Sequence, residues 1–177
     1  MDQQNVTLKP ASEGELWIFE RQSVEPDAGG IFNWSGFRNL AGTRRRLTED
    51  GLISADGGCL IVWAEGTATG TVSWRRVHYG TPTPSCWNIG VQILPEHRRR
   101  GIGTEGQAQL TRYLFDTSPV HRVEAHTDVE NDPEQRALSR IGFVREGLLR
   151  AVQFREGRWR DMYLYAMTRE DYSGVPW

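Results

Sequence analysis

Asn88-Ile89-Gly90-Val91-Gln92-Ile93-Leu94-Pro95-Glu96-His97-Arg98-Arg99-Arg100-Gly101-Ile102-Gly103-Thr104-Glu105 decides how this chain folds and what it binds. An apolar, strand-like run stops at Pro95, a basic loop with two glycines follows, and the loop opens a helix. The first helical turn leaves backbone N–H groups without partners and the helix dipole adds partial positive charge, so such a junction is an anion site. Gly101 and Gly103 let the backbone come close to phosphate oxygens, and Arg98, Arg99 and Arg100 add charge-assisted donors. Positive charge is unfavourable at a helix start, so three arginines there require an anion to offset them.

Gly101-Ile102-Gly103-Thr104-Glu105-Gly106 also spells the dinucleotide fingerprint GxGxxG, with Glu124 at a suitable distance for a ribose contact. In that fold the strand runs almost directly into the first glycine. Here five residues, three of them arginine, separate Pro95 from Gly101, and a second mononucleotide half is missing. A nucleotidase phosphate loop fails because no Lys-Ser or Lys-Thr follows the last glycine.

Downstream, the spacing of Ala108, Leu110, Tyr113 and Leu114 predicts a helix over 103–115, then a strand over 122–127 and a helix over 132–141 with Pro133 in its first turn. Strands at 147–154 and 158–167, turned by Arg155-Glu156-Gly157, close the chain. Upstream lie a strand over 6–8, a weak helix over 13–21, a loop over 25–37 and a short helix over 43–49 carrying Arg44-Arg45-Arg46. A hairpin of strands 58–64 and 67–75 turns at Glu65-Gly66, and a Pro/Gly loop covers 79–85. This order predicts an α/β architecture: a central mixed, mainly antiparallel sheet flanked by helices, in one domain over 1–177.

Composition agrees. With 177 residues, 38% apolar, 25% charged and a net charge of −2, the chain is neither disordered nor a bulk nucleic-acid binder. Its basic residues are clumped at 44–46 and 97–100, and a small anion needs no more than such a clump. No apolar run approaches the ~20 residues of a membrane helix, and Met1-Asp2-Gln3-Gln4-Asn5 lacks a signal-peptide core. Cys59 and Cys86 read as small buried residues in preference to a disulfide or a nucleophile. A cytoplasmic protein with no metal, no nucleic-acid partner and no membrane contact is expected, as monomer or homodimer.

On these residues the chain resembles the GCN5-related N-acetyltransferase (GNAT) family, and within it the branch that includes ribosomal-protein N-terminal acetyltransferases. Arg98, Gly101 and Gly103 meet the family motif Gln/Arg-x-x-Gly-x-Gly/Ala. Ile89-Gly90, Pro95-Glu96 and Gly103-Thr104-Glu105 resemble that branch, as do Asn131 through Arg136-Ala137-Leu138 to Gly142-Phe143. The closing hairpin is similar at Arg145-Glu146-Gly147 and at Gly157-Arg158-Trp159-Arg160-Asp161 with Leu164-Tyr165. The resemblance implies a twisted sheet whose fourth and fifth strands, 86–94 and 122–127 here, splay apart. It implies an acetyl-CoA or other acyl-CoA co-substrate, with pantetheine bonded to backbone around Ile93 and Leu94. Its pyrophosphate would sit on the amides of 99–104, that is Arg99, Arg100, Gly101, Ile102, Gly103 and Thr104. By the same analogy Asn131 helps hold the pantetheine, although an asparagine before Asp132-Pro133-Glu134 is also a helix N-cap.

The implied reaction is direct attack of an amine on the thioester, which needs a neutral amine, a donor to the oxyanion and a proton for the thiolate. A backbone N–H near Leu94 is the expected oxyanion donor. Where many relatives carry a serine acid this chain has Glu134, an acid if burial raises its pKa and otherwise an exposed first-turn glutamate. Asn88 stands where many relatives have an acidic residue and cannot take a proton. His126 shares a strand face with Glu124, as a proton relay or as a structural pair. His78, His97 and His121 read as surface residues. Trp34, Phe37, Trp74 and Trp87 are the expected walls of an acceptor pocket for a small-molecule amine or a protein N-terminus. Two alternatives share the fold: a catalytically silent acyl-CoA sensor, and an enzyme whose donor is an acyl carrier protein.

Overall fold

The computed structural model describes residues 5–80 and 86–173; residues 1–4, and residues 81–85 of the expected Pro/Gly loop, lie outside that range. In chain order the elements are β1 (Val6–Pro10), α1 (Leu16–Val24), α2 (Pro26–Gly29), α3 (Ala41–Asp50), β2 (Ile53–Ser54), β3 (Gly57–Ala64) and β4 (Thr67–Val77). Then come β5 (Cys86–Ile93), α4 (Ile102–Thr117), β6 (Arg122–Asp128), α5 (Asp132–Arg140), β7 (Val144–Arg155), β8 (Arg158–Thr168) and α6 (Arg169–Ser173). The sheet runs β1-β3-β4-β5-β6-β8-β7, with β2 paired to β3. Among the described residues only β5 and β6 pair in parallel, and the other pairs are antiparallel. A doubly wound dinucleotide fold needs a mostly parallel sheet, so the GxGxxG reading fails on topology.

Most predicted elements form, with local differences that include the unexpected α6 after β8. Ser12 and Glu15 close a capping box around a single 3-10 turn, so α1 starts at Leu16 and runs on to Val24. The expected loop over 25–37 contains α2, started by Pro26. β2 is two residues long, too short to show a period, and it moves the splaying pair to β5 and β6. Both hairpins turn on a Glu-Gly dipeptide: Glu65 and Gly66 have φ of 51° and 78°, Glu156 and Gly157 of 52° and 77°. Two left-handed residues in a row match the twist of the flanking strands.

Alternation along the strands sorts side chains onto two faces. On one face α4 packs Leu110, Leu114 and Phe115 against Val62, Val72, Ile89 and Val123. On the other, Ile18 of α1 and Ala28 of α2 cover Ile61, Ala68 and Leu94. Ser73 and Arg75 of β4, Asn88, Gly90 and Gln92 of β5, and Glu124 and His126 of β6 alternate onto this second face, by the register Arg75–Asn88–Glu124. No described helix is long and apolar enough to cross a membrane.

Candidate active site

The β5–β6 ladder runs from Cys86–Arg122 to Ile89–Ala125 and stops there, while β6 stays paired with β8 as far as Asp128. Past Ile89 the two strands part, and the backbone of β5 opens on a gap. Leu94 does not face it. Its N–H donates to Thr69 O (2.9 Å), its carbonyl accepts from His97 N (3.0 Å), and its side chain is fully buried. Bonding direction alternates along an antiparallel strand, so with Leu94 turned to β4 the N–H groups of Val91 and Ile93 point into the gap. The donor expected near Leu94 therefore shifts by one and three residues. Ile93 O is taken by Arg98 Nε at 2.8 Å.

Arg98 also donates from Nη2 to Asp27 O (2.6 Å), so its guanidinium braces the loop to α2 and to the end of β5, where a phosphate contact was expected. Arg100 reaches Glu65 at 2.8 Å, on the β3–β4 turn. Arg99 is exposed and has φ of 62°, and Gly101 follows at 79°. The first turn of α4 closes with Glu105 N donating to Gly101 O (3.0 Å), and no side chain caps it. The amides of Ile102, Gly103 and Thr104 thus precede the helix's own bonding and suit a phosphate. A Cβ on Gly103 would stand 3.3 Å from Ile93 Cγ1 and 3.6 Å from Val91 Cγ2, so the helix start lies directly against the open stretch of β5.

On the α4 face, Glu134 is half-buried at the start of α5. Burial pushes its pKa up to about 7, opposed by a hydrogen bond from Gln107 Nε2 to Oε2 (3.4 Å). Gln107 is fully buried and also donates to Gly103 O at 3.3 Å, which ties the candidate acid to the phosphate loop. Residue spacing carried a signal for Gln107, four residues after Gly103 and hence on the same helix face. Asn131 is the N-cap of α5, its Oδ1 accepting from Glu134 N at 3.4 Å.

On the opposite face, Glu124 is buried between Tyr79, whose hydroxyl donates to it at 2.7 Å, Arg122 at 3.4 Å and His126 at 3.6 Å. Burial lowers the His126 pKa; Glu124 opposes this, and Arg75 and Arg122 add to the lowering. The imidazole is therefore neutral at neutral pH and free to accept a proton. Beside these groups a cavity of about 420 Å³ is bordered by Arg46, Cys59, Ser73, Arg75, Asn88 and Gly90, where the β5–β6 ladder ends. Cys59 is half-buried, where full burial was expected, and Cys86 is buried; neither forms a disulfide. Burial pushes both thiols up to about 12, against a nucleophilic role.

The four expected aromatic walls are not brought together. Trp74 and Trp87 belong to the core under α4, Trp74 edge-on to Tyr113 at 5.9 Å and Trp87 donating from Nε1 to Ser118 at 3.2 Å. Strand alternation turns both rings to the α4 face, and of the two only Trp74 also borders the cavity. Trp34 and Phe37 stand together edge-on at 5.5 Å, in the loop after α2. That loop is tied to the end of β6 by Arg155, which donates to Phe32 O (3.0 Å) and ion-pairs with Asp128 at 2.7 Å in near-complete burial. Among the other histidines, His97 is half-buried with Nδ1 unpartnered, while His78 and His121 are exposed as expected.

Residues 8–144 match the family model described as acetyltransferase (GNAT) domain. The chain belongs to that family, an N-acyltransferase with an acyl-CoA co-substrate and an amine acceptor. It is 31% identical over 175 residues to the N-acetyltransferase p20 of Bacillus licheniformis, itself uncharacterized, covering 97% of each chain. It is 29% identical over 85 residues to the [ribosomal protein uS5]-alanine N-acetyltransferase of Escherichia coli, matching 48% of this chain and less than half, 44%, of that one. The spermidine N-acetyltransferase of Vibrio cholerae, solved with CoA and spermine, superposes with a TM-score of 0.82 over 95% of this chain and 98% of its own, at 18% identity, a likeness of fold.

Proposed function

We propose that this chain acetylates a primary amine that attacks the thioester directly in the β5–β6 gap. The observation that carries this reading is the open stretch of β5 beside the uncapped start of α4: Val91 and Ile93 offer N–H groups to the gap, and Ile102, Gly103 and Thr104 offer theirs at its mouth. These residues fit CoA, with phosphates on the helix amides and pantetheine along β5, and Asn131 close by at the start of α5. The bound thioester supplies an activated acyl carbon. The Val91 or Ile93 N–H donates to its oxygen as negative charge develops there. As the C–N bond forms and the C–S bond breaks, His126, backed by Glu124, takes the amine proton through water, and Glu134 gives its proton to the departing sulfur. The acceptor approaches from the Asn88 cavity, on the face opposite Glu134. Two free thiols suit a reducing, cytoplasmic setting.

Release of free thiol from acetyl-CoA, followed against a panel of small amines and peptide N-termini, tests this. Amine-dependent release is expected, with Glu134→Gln lowering kcat about 100-fold at unchanged CoA affinity. Tight CoA binding with no release for any amine from about pH 6 to about pH 9 would contradict it, and would favour a silent sensor.

A further inference from the structure

Arg44-Arg45-Arg46 has no part in the donor site, and the structure carries it on α3, whose Arg46 borders the Asn88 cavity together with Arg75. The charge on this wall is one-sided. Its only bordering carboxylate among the described residues, Asp56, is 88% exposed and faces Arg76 at 3.7 Å. Glu124, buried on the neighbouring strand and not bordering the cavity, takes Arg122 and Tyr79 on Oε2, while its Oε1 has His126 at 3.6 Å and no hydrogen-bond partner. Arg46 approaches Asp50 only to 3.7 Å, with half of its side chain in solvent. Arg75 is exposed, close enough to His126 for its charge to bear on the imidazole. Deeper in, Asn88 is 8% exposed and its Nδ2 has no hydrogen-bond partner. A buried amide donor left unpaired is costly, and an oxygen placed here would satisfy it.

A polyamine, cationic along its length, would face Arg46 and Arg75 on a border whose one carboxylate, Asp56, stands at Arg76. We propose that the acceptor carries a carboxylate within a few bonds of the reacting amine, held by Arg75 and Arg46 with Asn88 on a neighbouring oxygen. This rests on the cavity being the acceptor side of the acyl-transfer site. A volume of about 420 Å³ suits either an acidic amino acid or the leading residues of an acidic peptide. The recognised chemistry is the same in both.

Titration calorimetry on the CoA-saturated protein tests the proposal apart from turnover. The probes are free glutamate, spermidine and three amidated tripeptides, Ala-Glu-Ala, Ala-Gln-Ala and Ala-Lys-Ala. The glutamyl peptide or glutamate is expected to bind at least about tenfold more tightly than the glutaminyl and lysyl peptides and spermidine. That preference shrinks with added salt. Which of the two acidic probes binds better identifies the source. The double substitution Arg46→Gln with Arg75→Gln should reduce the preference to about twofold or less while leaving CoA affinity unchanged. Equal affinities, tighter spermidine or lysyl-peptide binding, or a preference that survives the double substitution would overturn the proposal. A failure of amine-dependent thiol release would strike the acyl-transfer reading instead, and this preference would still be measured.

Discussion

Glu134 is the proposed acid of the donor side, and its proposed role turns on a single titration. Burial holds its folded pKa at about 7, above the ordinary carboxylate range. Its contribution to stability is complete below the unfolded pKa and is lost as pH rises through about 7, where a half-buried carboxylate must ionise. Glu134→Gln should therefore be more stable than the parent at about pH 8.5, by ~1–3 kcal/mol, and no more stable at about pH 4, in denaturant titrations at the two pH values. In catalysis the sign is the same: kcat of the parent falls as Glu134 loses its proton above about pH 7, and the variant loses that limb. His126 is proposed for the opposite role, as proton acceptor. With its pKa lowered by burial it stays a proton acceptor at neutral pH, and His126→Gln should lower kcat/KM about tenfold or more in initial rates. Residue type made Glu134 and His126 visible as candidates. Which oxygen or N–H each neighbour uses was not visible, because Leu94 and Arg98 are committed by bonds to Thr69 and Asp27, far away along the chain.

At the scale of elements, β5, its loop and α4 form one unit, and nearly all of it was legible in the sequence. The strand stop at Pro95, the basic loop and the glycines stand together in a single short stretch, so local chemistry decides them. The direction of each backbone donor depends on register with β4, and that is a long-range property. The same reason explains Trp74 and Trp87: a tryptophan on a strand is apolar toward either face, and only pairing assigns the face. Gly103→Asp brings bulk against Ile93 and Val91 and a negative charge to the phosphate site. It should weaken CoA binding at least tenfold, about 1.4 kcal/mol, in a calorimetric titration of the folded variant.

Across the whole molecule, the loop around Phe32 is held to the sheet by the buried Arg155–Asp128 pair, 2.7 Å apart with side chains 3% and 1% exposed. Removing one partner leaves the other charge buried, and Arg155→Met should cost about 3–5 kcal/mol in chemical unfolding. The joint links β6, β7 and the loop around Phe32, and no motif announced it, since Asp128 and Arg155 are ordinary surface residue types until the fold buries them. The central claim is that CoA lies on the open stretch of β5 and the first turn of α4. Backbone amide NMR of the protein titrated with CoA tests it most directly. The largest shifts are expected at Gly101, Ile102, Gly103 and Thr104 and at Val91 and Ile93, with Gln92 and Leu94, bonded toward β4, moving far less. Saturating CoA that leaves those six amides in place, or shifts centred on another surface, would contradict it.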